Sequence, residues 1–396
     1  MLLSDCGVSA ETKESSLVEA TIGDTQDAVE VGALTYEHLA GLYFARIAEY
    51  ENEVHSVLRI NPSAVADAAA LDVERQEKGV RGPLHRIPVL LRDLIDQEGL
   101  PTTAGSIAMQ DCMPADDPTI VQRLKEAGAV VLGKGSMSEF ALSYGRLGYS
   151  SLGGTVLNPH DPQMSASGSS SGYAASVAAN FATVSLGSET VGSIRGPASS
   201  TSLVGIKPTQ GLVSLDGGDP LSDLADAVGH LARTVEDAAK LFSVLTSVDE
   251  KDPCTKASEG NFYKNYSQFL GRWSLESMTL GRIVGFSGGN EDMDALFNGA
   301  VTDLEALGAT VVEVNLTNYI SDPELLGGIE AGWSILDGIL EYECEQPLNV
   351  YLSKGASGCP QDLAMLTNWS MAYSDSLVPA LDQAVRDVMT ELDLKA

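Results

Sequence analysis

Basic residues are scarce in this 396-residue chain: 24 lysines and arginines stand against 55 aspartates and glutamates, a formal charge of −31. A surface that negative repels nucleic-acid backbones and anionic bilayers, so neither is expected as a partner. Cysteine is sparse too. Cys6, Cys112, Cys254, Cys344 and Cys359 are odd in number, widely spread and form no Cys-x-x-Cys pair. That pattern speaks against a disulfide framework or a zinc site and favours a reducing, cytoplasmic setting. No apolar run approaches the length of a membrane span. The opening MLLSDCGVSAETKESS lacks a basic segment followed by an apolar stretch, so no secretory signal is expected. In that setting the Asn-x-Ser/Thr triplets at Asn265, Asn315 and Asn368 read as chance matches. Histidine is limited to His38, His55, His85, His160 and His230, none in a Gly-x-Ser-x-Gly elbow or another triad context, with His85 and His230 in loop-like segments. No cluster of His, Asp and Glu has metal-ligand spacing, so neither a metal nor an organic cofactor is implied.

What the chain does have is core material, 44% hydrophobic residues, arranged in an α/β rhythm. Asp24–Gly32 predicts a short helix with an Asp cap and a Gly stop. A longer helix follows with Thr35 as cap and Leu39, Leu42, Tyr43 and Ile47 on one face. The run IPVLL (Ile87–Leu91), bounded by Pro88 and the charged Arg92–Asp93, reads as a buried strand. Helix, Gly turn and strand recur at PTIVQRLKEAGAVVLGK and again from Asp294 to Leu316, with a strand at Arg282–Phe286 before the second. This alternation predicts a layered α/β domain around a largely parallel sheet. Val248–Met278 is the most loop-like stretch; it reads as a domain boundary or a surface excursion, the second preferred because the rhythm resumes after it.

The serines are concentrated in SASGSSSGYAASVAANFATVSLGSETVGSIRGPAS (Ser165–Ser199). A flexible linker would lack apolar content, yet YAASVAANFATVSL is long enough for a buried helix and strand. SGSSSG therefore precedes a helix and SETVGSIRGP follows a strand, where small residues let a ligand approach backbone N–H groups. Each patch alone is as well explained by helix caps and turns. With no histidine placed to activate a hydroxyl, the remaining known logic is a serine activated by lysine through a second serine.

Several motifs in fixed order give that logic a home. GPLHRIPVLLRDLIDQEGLPTTAGS, SASGSSSGYAASVAAN, SETVGSIRGPASSTSLVGIKPTQGLVS and DAVGHLARTVEDAA together resemble the amidase signature family of serine hydrolases. The resemblance runs from about Leu17 and is densest from Gly82 to Ala239. It implies an amidase-signature α/β fold, a mixed, largely parallel twisted sheet sandwiched between helices. It also implies a single domain over 17–396, with a signature core at about 82–239, a variable substrate-side region at about 248–396 and a poorly ordered N-terminus at 1–16.

The resemblance assigns roles. Ser193 would be the nucleophile and Ser169, 24 residues earlier and preceded by a cis peptide, the bridging serine. The oxyanion hole would be formed by Thr190, Val191, Gly192 and Ser193. Asp93, Arg195, Gly168 and Ser170 would support the site, Arg195 by bracing the loop against Glu189 or Asp226. Met137, Ser138 and Phe140 would line the acyl side, and pocket walls would come from around Gly135–Gly154 and Leu325–Trp369. The family's lysine base falls at Arg92. A guanidinium, with a pKa above roughly 12, has no lone pair to offer and cannot act as a general base. Lys134 and a water-mediated route through Asp93 are the substitutes in reach of the sequence. Arg86 and Ser167 stand where the family has glycine, Ala166 and His230 where it has proline, and Val191 where it has glycine or aspartate. Family members continue beyond MTELDLKA into another core strand and further helices, so a truncated product is expected.

Three functions follow. One is hydrolysis of a small-molecule carboxamide through an acyl-Ser193 intermediate, impaired by Arg92. Another is an inactive amidase fold that binds a ligand or partner. The last is a glutaminase-type component of an amidotransferase, whose tRNA contact the charge of −31 disfavours unless a partner supplies it. Substrate identity and oligomeric state are not fixed by these residues.

Overall fold

A computed structural model describes residues 18–142, 146–218, 220–272, 274–284, 290–315, 342–354 and 357–372. The N-terminal stretch 1–16 lies outside them, and so does 325–341 of the expected pocket wall. Helix α1 (Ile22–Glu30) is capped by Thr21, not by Asp24. The Thr21 hydroxyl accepts the Asp24 N–H at 3.0 Å while the Asp24 carboxylate accepts the Thr21 N–H, a reciprocal capping box. Helix α2 (Tyr36–Val54) begins at Thr35 as expected, and its Leu39, Tyr43 and Ile47 are buried. There follow β1 (Val57–Ile60), α3 (Ala64–Lys78), β2 (Pro88–Arg92), α4 (Thr119–Glu126), β3 (Val130–Gly135) and a small hairpin, β4 (Tyr149–Ser150) with β5 (Gly154–Thr155). Then come α5 (Ser171–Ala178), β6 (Val184–Glu189), α6 (Arg195–Ser200), β7 (Val204–Ile206), β8 (Ala227–Ala232) and α7 (Val235–Leu245).

Six strands form one sheet in the order β1-β3-β2-β6-β8-β7. β2 is parallel to both its neighbours, β3 and β6. β1 runs antiparallel to β3, and β8 antiparallel to β6 and β7, so β2, β3, β6 and β7 share a direction. Period-two alternation sorts the buried strands between two cores. Val89, Leu91 and Val131 pack with Ile22, Leu124 and Leu241 from α1, α4 and α7. Leu90, Val130 and Leu132 pack with Tyr36, Tyr43 and Leu71 from α2 and α3. The sheet is thus covered by helices on both faces, the expected α/β/α layering.

Arg86 and Ser167, the two positions where the resemblance puts glycine, have φ of +73° and +62°, the left-handed region in which a Cβ is crowded. Arg86 is buried and offsets that cost with an ion pair to Asp72 at 2.6 Å. Asp72 in turn accepts the Tyr36 and Glu37 N–H groups at the start of α2.

Three expectations change. His230 does not lie in a loop: it sits in β8, fully buried, with Nε2 2.8 Å from the Ala238 carbonyl. Burial holds its pKa down at about 4. The scattered cysteines do include a disulfide, Cys112–Cys359, because a segment distant in sequence folds back onto the signature core. There Leu348, Leu352 and Leu366 pack on Ala108 and Met109, and the Tyr351 hydroxyl donates to Asp96 at 2.7 Å. Finally, the loop-like stretch Val248–Met278 is a boundary as well as an excursion. The chain forms two compact units, residues 1–266 with 344–396, and 267–343, so it changes unit between Tyr266 and Ser267. Within the second unit β9 (Thr279–Val284) and β10 (Thr310–Asn315) pair in parallel, linked through α8 (Glu291–Ala306). α9 (Leu363–Ala372) belongs to the first unit.

One glycine sets how closely α5 approaches the sheet. A Cβ on Gly187 of β6 would lie 2.2 Å from the ring of Tyr173. Gly187→Ala should therefore displace that ring and destabilise the fold by about 1–3 kcal/mol. Urea unfolding of the variant against the parent checks it; equal midpoints would show that the ring yields freely.

Candidate active site

Alternation along β2 also aims its last residue. Arg92 continues the Leu90 side of the strand, and its side chain is fully buried against the N-terminal end of α5. One guanidinium nitrogen, Nη2, donates to the Ser169 hydroxyl at 2.6 Å. The other, Nη1, donates to the Ser188 carbonyl at 2.7 Å, the Ser188 hydroxyl at 2.8 Å and the Ser170 hydroxyl at 3.2 Å. The Tyr173 hydroxyl lies 3.5 Å from Nη1, and the guanidinium carbon is 5.9 Å from the centre of the Tyr173 ring. Burial pushes the Tyr173 phenol up to about 12 against the pull of the Arg92 charge. All these acceptors are neutral. The acidic groups nearest in sequence are committed elsewhere, Asp93 facing Lys134 at 4.0 Å and Glu189 pairing with Arg195.

The Gly168–Ser169 peptide bond is cis, and Ser169 is buried. Its carbonyl accepts the Ser138 N–H at 3.0 Å, and the Ser138 hydroxyl accepts the Gly148 N–H at 2.8 Å. Ser170 bridges the two serine segments. Its hydroxyl contacts Arg92 and donates to the Ser188 carbonyl at 3.0 Å, while its N–H donates to the Ser193 carbonyl at 3.2 Å. Ser193 is half-buried at the turn between β6 and α6. A hydrogen bond between the Ser169 and Ser193 hydroxyls is not formed among the described residues.

Glu189 organises that turn. Its carboxylate accepts the Ile194 N–H at 2.9 Å, the Arg195 N–H at 3.0 Å and the Arg195 Nε at 2.7 Å. Burial pushes Glu189 up, but the Arg195 side chain and the N–H groups of Arg195, Ile194 and Gly192 outweigh it and hold the carboxyl below its ordinary range. Gly192 has φ +87°, so the turn needs a residue at ease in the left-handed region. The N–H groups of Val191 and Ser193 carry no hydrogen bond among the described residues. Of the two carboxylates expected to brace Arg195, Glu189 does so; Asp226 instead accepts from the Thr190 hydroxyl at 2.5 Å.

The chain matches the amidase family model over residues 39–325. The chain belongs to the amidase family. It is 38% identical to a probable amidase of Arabidopsis thaliana over 91% of this chain, spanning 69% of that protein. It is 34% identical to a glutamyl-tRNA(Gln) amidotransferase subunit of Halorhodospira halophila, covering 76% of this chain but 61% of that one. Among solved structures, the native peptide amidase of Stenotrophomonas maltophilia superposes with a TM-score of 0.82 at 36% identity, covering 92% of this chain and 75% of the other. No helix among the described residues is long and apolar enough to cross a membrane.

Within this amidase fold the other expected residues fall into two groups. Asp93 points to the face of the sheet opposite Arg92, where it accepts from Thr103 and, at 3.3 Å, from the Gly105 N–H. Burial pushes its carboxyl up. Lys134, in register with Leu91, occupies that same opposite face. Its ammonium donates to the Ile95 carbonyl and, at 3.2 Å, to Thr102, and burial holds its pKa down. Neither Lys134 nor Asp93 forms a hydrogen bond with the Ser169 hydroxyl among the described residues. Met137 is a core residue packed with Leu91 and Leu186, not an acyl-side wall, because it follows β3 into the interior. Phe140 packs partly buried against the Cys112–Cys359 cluster. Ser143–Gly145 lie outside the described residues.

Ser188 and Tyr173 were not singled out from the sequence, yet they hold Arg92. Period two along β6 puts Ser188 with Leu186 and Leu91, on the face away from Leu90, so the sequence carried no signal for its contact with Arg92. Beyond Ser188 a cavity of about 280 Å³ opens, lined among others by Leu94, Ile95, Asp216, Asp226, Tyr351 and Lys354.

Glu189→Gln should loosen the Val191–Ser193 turn and lower stability by about 1–3 kcal/mol at neutral pH. A carboxyl whose folded pKa is depressed stabilises above its unfolded value of about 4.3 and loses that stabilisation as pH falls through the folded value. Thermal melts of parent and variant should therefore converge on acidification; a gap that persists at low pH would show that the charge is not what matters.

Proposed function

We propose that this chain carries an acyl-serine amidase site, with Ser193 as nucleophile and Ser169 as the bridging hydroxyl, and that Arg92 slows it. The observation that carries this reading is the 2.6 Å bond from Arg92 Nη2 to the Ser169 hydroxyl oxygen at the end of the central strand. In a Ser–Ser–Lys relay the proton of Ser193 passes to Ser169, and that of Ser169 to a neutral amine. Here the order of donors is reversed. The guanidinium fills a Ser169 lone pair and has none of its own to receive a proton. Ser169 is left as a donor toward Ser193, and the proton released on acylation has no terminal acceptor. The Val191 and Ser193 N–H groups would still stabilise a tetrahedral oxyanion, a contribution typically worth about 3 kcal/mol per donor. Binding and the oxyanion site therefore survive where general-base catalysis does not.

The substrate class that fits is a small carboxamide, and no tRNA contact is needed. A glutaminase-type component of an amidotransferase is the second reading, supported by the relatives that carry that enzyme's name. The charge of −31 disfavours direct tRNA contact by this chain. A cytoplasmic location loses the support of the scattered cysteines, since Cys112 and Cys359 are joined.

Arg92→Lys should raise kcat/KM on simple aliphatic and aromatic amides by at least about 10²-fold, the usual size of a general-base contribution. Burial without a carboxylate partner would depress the introduced ammonium, so the gain should grow as pH rises through its pKa. An unchanged rate would sink the relay reading. A fluorophosphonate probe should label both the parent and Arg92→Lys but not Ser193→Ala; labelling that survives Ser193→Ala would remove Ser193 from the nucleophile's role.

A further inference from the structure

Arg92 is the largest fully buried side chain of the described residues, and it carries a permanent charge. Such charges are ordinarily neutralised by a carboxylate, and breaking a buried pair is costly. Here the hydrogen-bond partners of Nη1 and Nη2 are serine hydroxyls, a carbonyl and a phenol, and Nε has no partner. Positive charge is therefore held beneath residues 168–170, while the Glu189 carboxylate behind residues 190–193 is already paired with Arg195.

The residues packed above that charge are rich in donors. Ser169 accepts from Arg92, which leaves its own O–H free to point away from the guanidinium. Ser170 contacts both Arg92 through its hydroxyl and Ser193 through its backbone, so the charge and the half-buried turn are separated by a single residue. At that turn the N–H groups of Val191 and Ser193 are unengaged among the described residues. A carboxylate is acceptor-only, whereas the NH₂ of a carboxamide must find acceptors. Donors backed by a fixed cation suit the former, and charge-assisted bonds are about twice as strong as neutral ones.

We propose that this site is a carboxylate-binding site, which holds the acid form of an acyl group in preference to its amide. The inference deepens the proposed function, since it rests on residues 168–170 and 190–193 forming the acyl site, but it concerns affinity and not turnover. The ligand class is a monocarboxylate of the kind amide hydrolysis releases. With Arg92 in place the chain would be retained by the acid and act as a carboxylate binder, or as a strongly product-inhibited amidase.

The test is calorimetric titration of the intact protein with matched pairs: acetate and acetamide, benzoate and benzamide, N-acetylphenylalanine and its amide. At least one acid should bind the parent chain 10-fold or more tighter than its own amide, and Arg92→Gln should abolish the difference. Equal or tighter binding of every amide by the parent overturns the proposal without recourse to any variant, so it stands or falls even if Arg92→Gln does not fold. A preference for the acid that persists in a folded Arg92→Gln protein overturns it as well. The two readings separate cleanly. Activity gained by Arg92→Lys without acid preference in the parent removes only this inference; acid preference with an inert Arg92→Lys removes only the catalytic one.

Discussion

The hydrogen bond between a buried guanidinium and the Ser169 hydroxyl is the constraint around which this site is arranged. Arg92 can stand there because β2 is central in the sheet and its alternation turns one residue in two toward α5. The cost of burying its charge is offset by Ser188, Ser170, Ser169 and Tyr173, which come from two further segments of the chain. Loss of that bond would free Nη2 and the Ser169 hydroxyl together, while Nη1 keeps its bonds to Ser188 and Ser170.

The second organising charge is Glu189, at the end of the neighbouring strand. It commits its lone pairs to the backbone and side chain of the residues just past Ser193, and so shapes the turn without entering it. Adjacent parallel strands thus deliver opposite charges to adjacent tasks. Arg92 fixes Ser169 from beneath, and Glu189 fixes the Val191–Ser193 turn from behind. Keeping them apart matters: were Glu189 to pair with Arg92, the positive charge beneath the serines would vanish. Arg195, exposed, donates through both Nε and Nη2 to one Glu189 oxygen, and the other oxygen accepts the Ile194 and Arg195 N–H groups, so the carboxylate is fully engaged.

The far face of the same strand shows how little a step of one residue leaves in common. Asp93 follows Arg92 directly, yet it belongs with Lys134, Thr103 and Gly105 on the opposite side of the sheet. A lysine and a carboxylate close in sequence to Arg92 therefore share none of its hydrogen-bond partners. The segment 344–372 is a different case. It reaches the core through the Cys112–Cys359 disulfide and the Tyr351–Asp96 bond, and contributes a wall to the cavity beyond Ser188.

Local pattern was enough for most of the fold and for the family. Helix periodicity, the Thr35 cap, the apolar run at Ile87–Leu91 and the ordered motifs from Gly82 to Ala239 are encoded within a few residues of one another, where steric and hydrogen-bond preferences act directly. The chemical consequence of arginine at position 92 was equally legible, because a guanidinium cannot shed its proton in any fold. Only tertiary structure decided which groups surround it. Ser188 and Tyr173, the exclusion of Lys134 and Asp93, the burial of His230 in β8 and the pairing of Cys112 with Cys359 all depend on strand order and on which face a side chain takes. Those are set by contacts between residues far apart along the chain, and such contacts leave no periodic trace in the sequence.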